Sequence, residues 1–175
     1  MNDGSANKSP EKMLSQLSKV KLLSLDVDGV MTDGGLYYAA NGEISRKYNV
    51  KDGVGIKRVM AAGVEVVIIS AGVSGSIPER TETLSIKYVF TGVEDKRAVL
   101  LGLCAELGIS PDEAAHMGDD LNDVPLLDVV GCPIAVADAE PEVLDAALIV
   151  TERMGGKGAI REICNAMCKA IAEEK

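Results

Sequence analysis

The sequence predicts an α/β fold built on a doubly wound, mostly parallel sheet, with a β-hairpin projecting after the first strand. Short apolar runs alternate with segments of helical periodicity along most of the chain, which is typical of such sheets. Residues 64–70, Val-Glu-Val-Val-Ile-Ile-Ser, are nearly all β-branched, as expected for a strand covered on both faces. Ligands of these folds bind beyond the carboxyl ends of the strands.

The expected strands are the short apolar runs at Leu22–Asp26, Val64–Ser70, Tyr88–Thr91, Ala114–Met117, Ile134–Val136 and Leu148–Val150. The expected helices carry apolar residues at helical spacing and lie at Val54–Ala62, Ile77–Leu84, Lys96–Leu107, Val124–Val129, Glu142–Ala146 and Ala159–Glu173. Residues 1–19 are polar and predict a flexible leader, with a short helix at Met13–Leu17. Residues 20–175 then form a single domain.

Residues 35–49 interrupt the alternation of strands and helices. They hold two strand-like runs around Asn41-Gly42, and this dipeptide is a strong signal for a hairpin because both residues tolerate positive φ. A lone two-stranded ribbon is marginally stable in water. We therefore expect the hairpin to pack against the body of the protein or against another subunit.

Composition narrows the class of partner. The formal net charge is −9, which disfavours nucleic acid as a partner because phosphate contacts need a basic surface. Residues 1–10 lack the apolar core of a signal peptide, and no stretch approaches the length of a membrane span. The four cysteines form no CxxC pair. We expect a cytoplasmic protein with reduced thiols and no membrane partner.

The segment Leu22-Leu-Ser-Leu-Asp26-Val-Asp28-Gly29 delivers two carboxylates from an apolar run into a turn. Side chains alternate along a strand, so Asp26 and Asp28 reach one pocket only where the strand ends. Such a pair suits a carboxylate nucleophile beside an acid/base partner and a metal. The alternative is a turn that uses Asp and Gly for backbone reasons alone.

Three later features complete a possible phosphoryl-transfer site. Ser70 ends the second strand, where its hydroxyl can donate to a phosphoryl oxygen or cap the helix near Ser74–Ser76. Lys96 opens a helix, a position that the helix dipole disfavours for a cation unless an anion faces it, although it can also be a solvated surface lysine. Residues 118–123, Gly-Asp-Asp-Leu-Asn-Asp, suit either a hard divalent cation or a helix N-cap.

These pieces stand in the order Asp-x-Asp-Gly-x-x-Thr, Ser, Lys and Gly-Asp-Asp-x-x-Asp, which resembles the haloacid dehalogenase superfamily of phosphohydrolases. The resemblance narrows to small capless sugar-acid phosphatases, among them 3-deoxy-D-manno-octulosonate 8-phosphate phosphatases and nonulosonate 9-phosphate phosphatases. Supporting residues lie at 33–36, 41–43, 51–56, 135–139 and 155–162. The likeness runs from Lys21 to about Cys168, and it implies a fold without a cap domain.

The resemblance implies a role for each catalytic residue. Asp26 attacks phosphorus and forms an aspartyl-phosphate. Asp28 protonates the leaving sugar oxygen and then activates water. Ser70 and Lys96 hold and neutralise the phosphoryl oxygens. Positioning and charge stabilisation are what phosphoryl transfer demands of a protein, so the physical argument agrees with these roles.

The cofactor implied by the resemblance is Mg²⁺. Its ligands are Asp26, the backbone carbonyl of Asp28, and Asp119, with Asp120 or Asp123 in support. The implied substrate is a small phosphorylated sugar acid.

The resemblance also implies a homotetramer in which the Gly35–Asn49 hairpin builds an interface and a neighbouring subunit completes the pocket. Tyr37, Tyr38, Arg46 and Lys47 would lie in or near that interface, or would be ordinary hairpin surface.

Several residues bear on which substrate is bound. Thr32 closes the first motif, and Arg80 matches an Arg that the family carries on the following helix. Gly72 stands where octulosonate phosphatases usually have Arg, so a cation expected near the substrate is missing. His116, the single histidine, is expected to pack or hydrogen-bond within the sheet.

Three functions therefore stay open. The leading one is a Mg²⁺-dependent phosphatase for an octulosonate-8-phosphate-like ester, and the second is a nonulosonate 9-phosphate phosphatase. The third belongs to another class, a phosphoacceptor or regulatory domain without turnover. The order of the motifs disfavours it, because receiver domains place a single acceptor Asp on a middle strand.

Overall fold

The computed structural model describes residues 10–73 and 76–174. Its centre is a six-stranded parallel sheet with the order β5-β4-β1-β6-β7-β8. The strands of this sheet are β1 (Leu22–Leu25), β4 (Glu65–Ile69), β5 (Tyr88–Phe90), β6 (Ala114–Gly118), β7 (Cys132–Ala135) and β8 (Ile149–Val150). A separate hairpin pairs β2 (Tyr37–Tyr38) with β3 (Ile44–Ser45). This confirms the predicted doubly wound α/β fold with a hairpin after the first strand.

Seven helices flank the sheet in the described ranges. They are α1 (Pro10–Lys19), α2 (Val50–Ala61), α3 (Ser76–Leu84), α4 (Lys96–Leu107), α5 (Val124–Leu127), α6 (Pro141–Ala146) and α7 (Ala159–Glu173). The described part of the chain contains no cap domain.

Aliphatic cores cover both faces of the sheet. Alternating strand residues supply the two faces: Leu23 and Ile68 belong to the larger cluster, which takes in Ile160 of α7, while Leu22 belongs to the smaller one with Leu100 of α4. Both clusters consist largely of Leu, Ile, Val and Ala, in keeping with a chain that has 3% aromatic residues. Helices on both faces hold the sheet edge on which the polar residues lie.

The start of the domain differs from the sequence prediction. Residues 10–19, which were assigned to a flexible leader, form α1, and residues 1–9 lie outside the described ranges. The physical reason is burial, because Leu17 is 3% exposed and Met13 packs against the core. The predicted short helix at 13–17 lies inside this longer one.

Helix α2 begins four residues earlier than predicted, at Val50. Asn49 caps it, because its side-chain oxygen accepts a hydrogen bond from the backbone N–H of Lys51 at 2.8 Å. The helix start therefore follows directly from the end of the hairpin, and no loop separates the two.

The hairpin turn also differs in detail from the prediction. Ala39 and Glu43 close the loop, with the N–H of Ala39 donating to the Glu43 carbonyl at 2.9 Å. Gly42 has a φ of +88°, whereas Asn41 does not enter the positive-φ region. This is a three-residue turn ending in a left-handed glycine, and not a two-residue turn with two such residues.

The order of the strands decides where the polar residues meet. Strand β1 lies between β4 and β6, because the chain first adds β4 and β5 on one side of β1 and later adds β6, β7 and β8 on the other. The carboxyl ends of these three strands form the crevice of a doubly wound sheet. No helix in the described ranges has the length and apolar character needed to cross a membrane.

Candidate active site

The turn after β1 sets the position of both N-terminal carboxylates. Asp28 (φ −76°, ψ 117°) and Gly29 (φ 88°, ψ −11°) have the angles of a type II turn, which requires glycine at its second central position. Space demands glycine as well, since a Cβ at residue 29 would fall 1.9 Å from Oδ2 of Asp119. Asp26, just before the turn, is 5% exposed.

Two sets of contacts stabilise the turn, one from the Thr32 hydroxyl and one from the backbone of residues 155–156. The Thr32 hydroxyl accepts hydrogen bonds from the N–H groups of Gly29 (3.4 Å) and Gly34 (3.2 Å). The N–H of Gly156 donates to the Val30 carbonyl at 3.0 Å, and a Cβ at Gly155 would lie 1.6 Å from the Gly29 carbonyl oxygen. The 155–156 backbone is thus packed directly against the turn.

Lys96 connects the first acidic motif, at Asp26, with the last one, at Asp123. Its ammonium donates to Oδ1 of Asp26 at 2.8 Å and to Oδ1 of Asp123 at 2.6 Å, and its side chain is 2% exposed. Asp95 caps α4 by accepting from the N–H of Ala98 at 2.9 Å. The cation at this helix N-terminus therefore faces anions, as its position predicted.

Asp123 is the most connected carboxylate of the cluster. Besides Lys96, its Oδ1 lies 3.1 Å from Nε2 of His116, and its Oδ2 accepts from the N–H of Asp119 at 3.0 Å. Nδ1 of His116 lies 3.0 Å from the Ser24 hydroxyl on the neighbouring strand. His116 thus makes the hydrogen bonds within the sheet that were expected of it, and it also positions Asp123.

Asp119 is the carboxylate of this cluster with a buried oxygen that has no partner in the described residues. Its Oδ1 is buried without a hydrogen bond among the described residues. One oxygen each of Asp26, Asp119 and Asp123 lie within 4.8 Å of one another. Three carboxylates this close repel one another unless a cation lies among them, so this group can hold a metal ion.

The carboxylates titrate in an order that reflects this crowding. Burial, reinforced by Asp123 and opposed by Lys96, raises the pKa of Asp26 to about 6. Burial and the neighbouring carboxylates raise the pKa of Asp119 to about 8. Burial also acts to raise the pKa of Asp123, but His116 and Lys96 outweigh it and hold that pKa well below its ordinary value. The nearby carboxylates and the burial of Asp119 thus outweigh the positive charge of Lys96 at this residue.

Asp28 faces a different environment from the other carboxylates. Its oxygens accept from Nε (2.6 Å) and Nη2 (2.9 Å) of Arg46, which follows β3 of the hairpin. A Cβ at Gly72 would lie 3.0 Å from both Nη2 of Arg46 and Oδ2 of Asp28, and 3.3 Å from the Ser70 hydroxyl. Asp28 and Ser70 therefore border the same small gap at the ends of β1 and β4.

The remaining expected residues lie around this centre. Asp120 is exposed and caps a short 3₁₀ helix, accepting from the N–H of Leu121 at 2.6 Å, so the N-cap interpretation fits it. Arg80, on α3, donates to the Asn49 carbonyl at 3.1 Å and lies over the Tyr48 ring. Its guanidinium does not join the carboxylate cluster.

Sequence reasoning missed the contact between Arg46 and Asp28. It predicts Arg46 in or near a subunit interface or on ordinary hairpin surface, and the structure shows its 3% exposed side chain paired with Asp28 of the same chain. The alternation at the end of the hairpin could have revealed this, because Ile44, Arg46 and Tyr48 are partly covered while Ser45 and Lys47 between them are exposed. A period of two marks one inward face.

Known proteins share this fold and its sequence. Residues 79–163 match the model of the haloacid dehalogenase-like hydrolases. The 3-deoxy-D-manno-octulosonate 8-phosphate phosphatase KdsC of Escherichia coli K12 is 38% identical over 158 residues, covering 90% of this chain and 84% of that protein.

Two solved structures are similar over nearly the whole chain. The octulosonate 8-phosphate phosphatase of Moraxella catarrhalis, in complex with magnesium, phosphate and KDO, has a TM-score of 0.92 at 30% identity, covering 94% of this chain and 95% of that one. The cobalt-bound enzyme of Haemophilus influenzae has a TM-score of 0.87 at 38% identity, covering 90% and 92%. The chain belongs to the haloacid dehalogenase-like hydrolases, in the group of the octulosonate 8-phosphate phosphatases, and is a phosphoric monoester hydrolase.

Proposed function

We propose that the protein is a Mg²⁺-dependent phosphatase that hydrolyses a sugar-acid phosphate monoester through an aspartyl-phosphate on Asp26. The observation that carries this proposal is the position of Asp26 between the Lys96 ammonium and the unpartnered carboxylate of Asp119. A nucleophilic carboxylate beside a fixed cation and a vacant oxygen ligand has the surroundings that phosphoryl transfer needs.

The residues of the cluster fit a hard divalent cation. All its donors are oxygens, and Asp119 Oδ1 has no partner among the described residues. We propose Asp26, Asp119 and the backbone carbonyl of Asp28 as ligands. Asp123 supports them better than Asp120 does, since it orients Lys96 and the Asp119 backbone from within the cluster. Bound Mg²⁺ supplies charge neutralisation at the phosphoryl oxygens.

The chain's own residues divide the remaining work. Asp26 attacks phosphorus, and Lys96 holds the nucleophile in place and neutralises one phosphoryl oxygen. The Ser70 hydroxyl, at the end of β4, donates to another oxygen. Asp28 gives a proton to the leaving sugar oxygen and then takes one from the water that cleaves the aspartyl-phosphate.

The substrate proposed first is 3-deoxy-D-manno-octulosonate 8-phosphate, which the names of the relatives support. A nonulosonate 9-phosphate is the second candidate. The observation that favours it is Gly72, which stands where octulosonate 8-phosphate phosphatases usually carry an arginine near the substrate. Comparing kcat/KM for the two esters decides between them.

We also propose a homotetramer with the hairpin in its interface. Tyr37 and Tyr38 are 57% and 72% exposed, which is unusual for neighbouring aromatic residues. Light scattering at micromolar concentration tests this, and a monomer there would refute it. A cytoplasmic location stays a prediction.

The test of the chemistry uses p-nitrophenyl phosphate, whose leaving group needs no proton. Metal-stripped enzyme should be inactive and should regain activity with Mg²⁺. Asp28→Asn should then form the phosphoenzyme but hydrolyse it slowly, so that acid-quenched protein carries phosphate on the peptide containing Asp26. Metal-independent turnover, or phosphate on another residue, would refute the mechanism.

A further inference from the structure

The Arg46 guanidinium occupies a central position between the hairpin and the reaction site. Two of its nitrogens hold both oxygens of Asp28, at 2.6 and 2.9 Å, and Nη1 lies 3.4 Å from the Ser76 hydroxyl. The Arg46 side chain is 3% exposed, whereas that of Asp28 is 32% exposed. Asp28 therefore keeps access to the exterior while both its oxygens are in use.

Gly72 explains why the guanidinium fits there. Its φ is not positive, so no backbone constraint demands glycine. A Cβ at this position would meet Nη2 of Arg46 and Oδ2 of Asp28, each at 3.0 Å, which is closer than side chains normally approach. The missing side chain at residue 72 is what makes room for Arg46 beside Asp28.

Arg46 also lines a cleft of about 700 Å³ between the hairpin and α3. This volume is in the range of small-molecule sites. The cleft walls include Glu43, Tyr48, Val73 and Arg80. One side chain, Arg46, thus contacts both the cleft and the carboxylate beside the nucleophile.

We propose that Arg46 is a specificity residue that exchanges the carboxylate of Asp28 for the carboxylate of the substrate. The inference rests on the proposed function, since it requires a sugar acid in the cleft. A guanidinium fork binds any carboxylate with the same two-point geometry, so the exchange replaces one charged pair by another of the same kind. It leaves the Asp28 oxygens free to turn toward the leaving oxygen.

This exchange makes the carboxylate of the substrate a condition for efficient turnover. A phosphate ester without a carboxylate leaves Arg46 on Asp28, and both Asp28 oxygens remain in that pair. A sugar acid gains an anchor and releases Asp28 in one event. The enzyme then distinguishes esters with a carboxylate from esters without one through Arg46 of the hairpin segment. The phosphate-binding residues are the same for both kinds of ester.

The test compares 3-deoxy-D-manno-octulosonate 8-phosphate with mannose 6-phosphate, which has no carboxylate. Wild-type enzyme should prefer the sugar acid. Arg46→Gln should lower kcat/KM for the sugar acid roughly 10–100-fold, the loss expected for a charged hydrogen bond, mainly through KM. Its kcat/KM for mannose 6-phosphate should stay the same or rise. Arg46→Lys, which keeps the charge without the fork, should fall between the two.

Lys47→Gln is the matched control. Lys47 is the next residue of the same hairpin and carries the same charge, but its side chain is 53% exposed and pairs with Asp33. This variant should keep the wild-type preference. Equal losses on both esters in Arg46→Gln would assign Arg46 a purely structural role and overturn the proposal, as would an unchanged preference.

Calorimetric titration with free octulosonate gives a readout independent of turnover. Wild-type protein should bind it, and Arg46→Gln should bind it roughly 10–100-fold more weakly. Octulosonate binding unaffected by Arg46→Gln would overturn the proposal. If wild-type enzyme hydrolyses neither ester, the proposed function fails, and the titration still decides whether Arg46 binds the sugar-acid carboxylate. Equal hydrolysis of both esters by the wild type would refute the inference and leave the phosphatase standing.

Discussion

Asp26 and Asp28 are two residues apart, yet their surroundings have little in common. Asp26 is 5% exposed and shares Lys96 with the buried Asp123. Asp28 has a side chain that is 32% exposed and pairs with Arg46 from the hairpin. Residues from the start of α4 and the turn after β6 hold the first carboxylate, and a residue from the hairpin holds the second.

This contrast separates the groups proposed for phosphoryl transfer, which are buried, from Asp28, whose partner comes from the hairpin that we propose takes part in recognition. Phosphoryl transfer needs fixed charges, and the Asp26 side of the site has them because its groups are buried and mutually bonded. Recognition of a particular sugar needs groups that can change without unfolding the sheet, and the hairpin satisfies that need. The variants below test each side of the contrast, from the largest expected effect to the smallest.

Asp26→Asn should have the largest effect on activity. An amide cannot form the aspartyl-phosphate, so kcat should fall more than about 10³-fold for every phosphate ester. The melting temperature of the metal-free protein should not drop, because the change removes one of several crowded carboxylates. Steady-state assays and calorimetry measure the two quantities. Substantial residual turnover would remove Asp26 from its assigned role.

Lys96→Met should have the largest effect on stability. It leaves Asp26 and Asp123 buried without their shared cation, and loss of one partner from a buried pair costs roughly 3–5 kcal/mol. Lys157→Met is the control, since Lys157 is 52% exposed and pairs with Asp33 at 3.4 Å. An exposed pair contributes about 0–1 kcal/mol. Urea unfolding compares the two variants, and equal losses would contradict the picture of a rigid interior.

The metal-free protein should become less stable as pH rises from about 5 to about 8. Asp119 has a pKa of about 8 in the folded state against 3.8 ordinarily, and Asp26 has one of about 6. The folded state therefore binds more protons than the unfolded state in this window, so the free energy of unfolding falls with rising pH.

Mg²⁺ should reverse this trend, because it competes with protons for the same carboxylates. Its stabilisation should be larger at pH 8 than at pH 5. In a chain of this size, each 1 kcal/mol changes the melting temperature by roughly 2–4 °C. Calorimetry at both pH values, with EDTA or Mg²⁺, measures it. A metal-free melting temperature that rises over this window would contradict the charge balance described here.

Two glycines offer the finest comparison. Residue 29 needs a positive φ, and Gly29→Ala places a Cβ 1.9 Å from Oδ2 of Asp119, so this variant should lower kcat/KM for every ester, although less than Asp26→Asn does. Gly72→Ala meets Arg46 and Asp28 at 3.0 Å without backbone strain, and should change kcat/KM by less than about tenfold, mainly in the preference between esters. Equal effects of the two variants would show that both sides of the site are equally rigid.

The sequence predicted the sheet side well and the hairpin side poorly, for a physical reason. Strands such as β4 and helices such as α4 can be predicted from local periodicity. The end of β4 fixes the position of Ser70, and the start of α4 fixes that of Lys96. The pairing of Arg46 with Asp28 depends on how a loop folds back across the crevice. The start of α1 was missed because burial of Leu17, and not local composition, orders that helix.

The surroundings of Asp119 could be predicted in part from the sequence. Its acidic segment predicted a cation site, and the structure brings Asp26, Asp119 and Asp123 together. Which carboxylate would be left without a partner depends on side-chain geometry. His116 and Lys96 provide hydrogen-bond partners for Asp123, and these contacts depend on the three-dimensional packing of distant segments.

The packing of Gly155 and Gly156 against the Asp28–Gly29 turn has a consequence for biosynthesis. A ribosome releases the chain from its N-terminus, so Asp26, Lys96 and Asp119 all emerge before residue 155. At that stage the nascent chain contains every acidic residue of the site, but Gly155 and Gly156 do not yet pack against the Asp28–Gly29 turn. The turn gains this packing only when residues 155 and 156 arrive, so its final shape forms after all the acidic residues of the site have been synthesised.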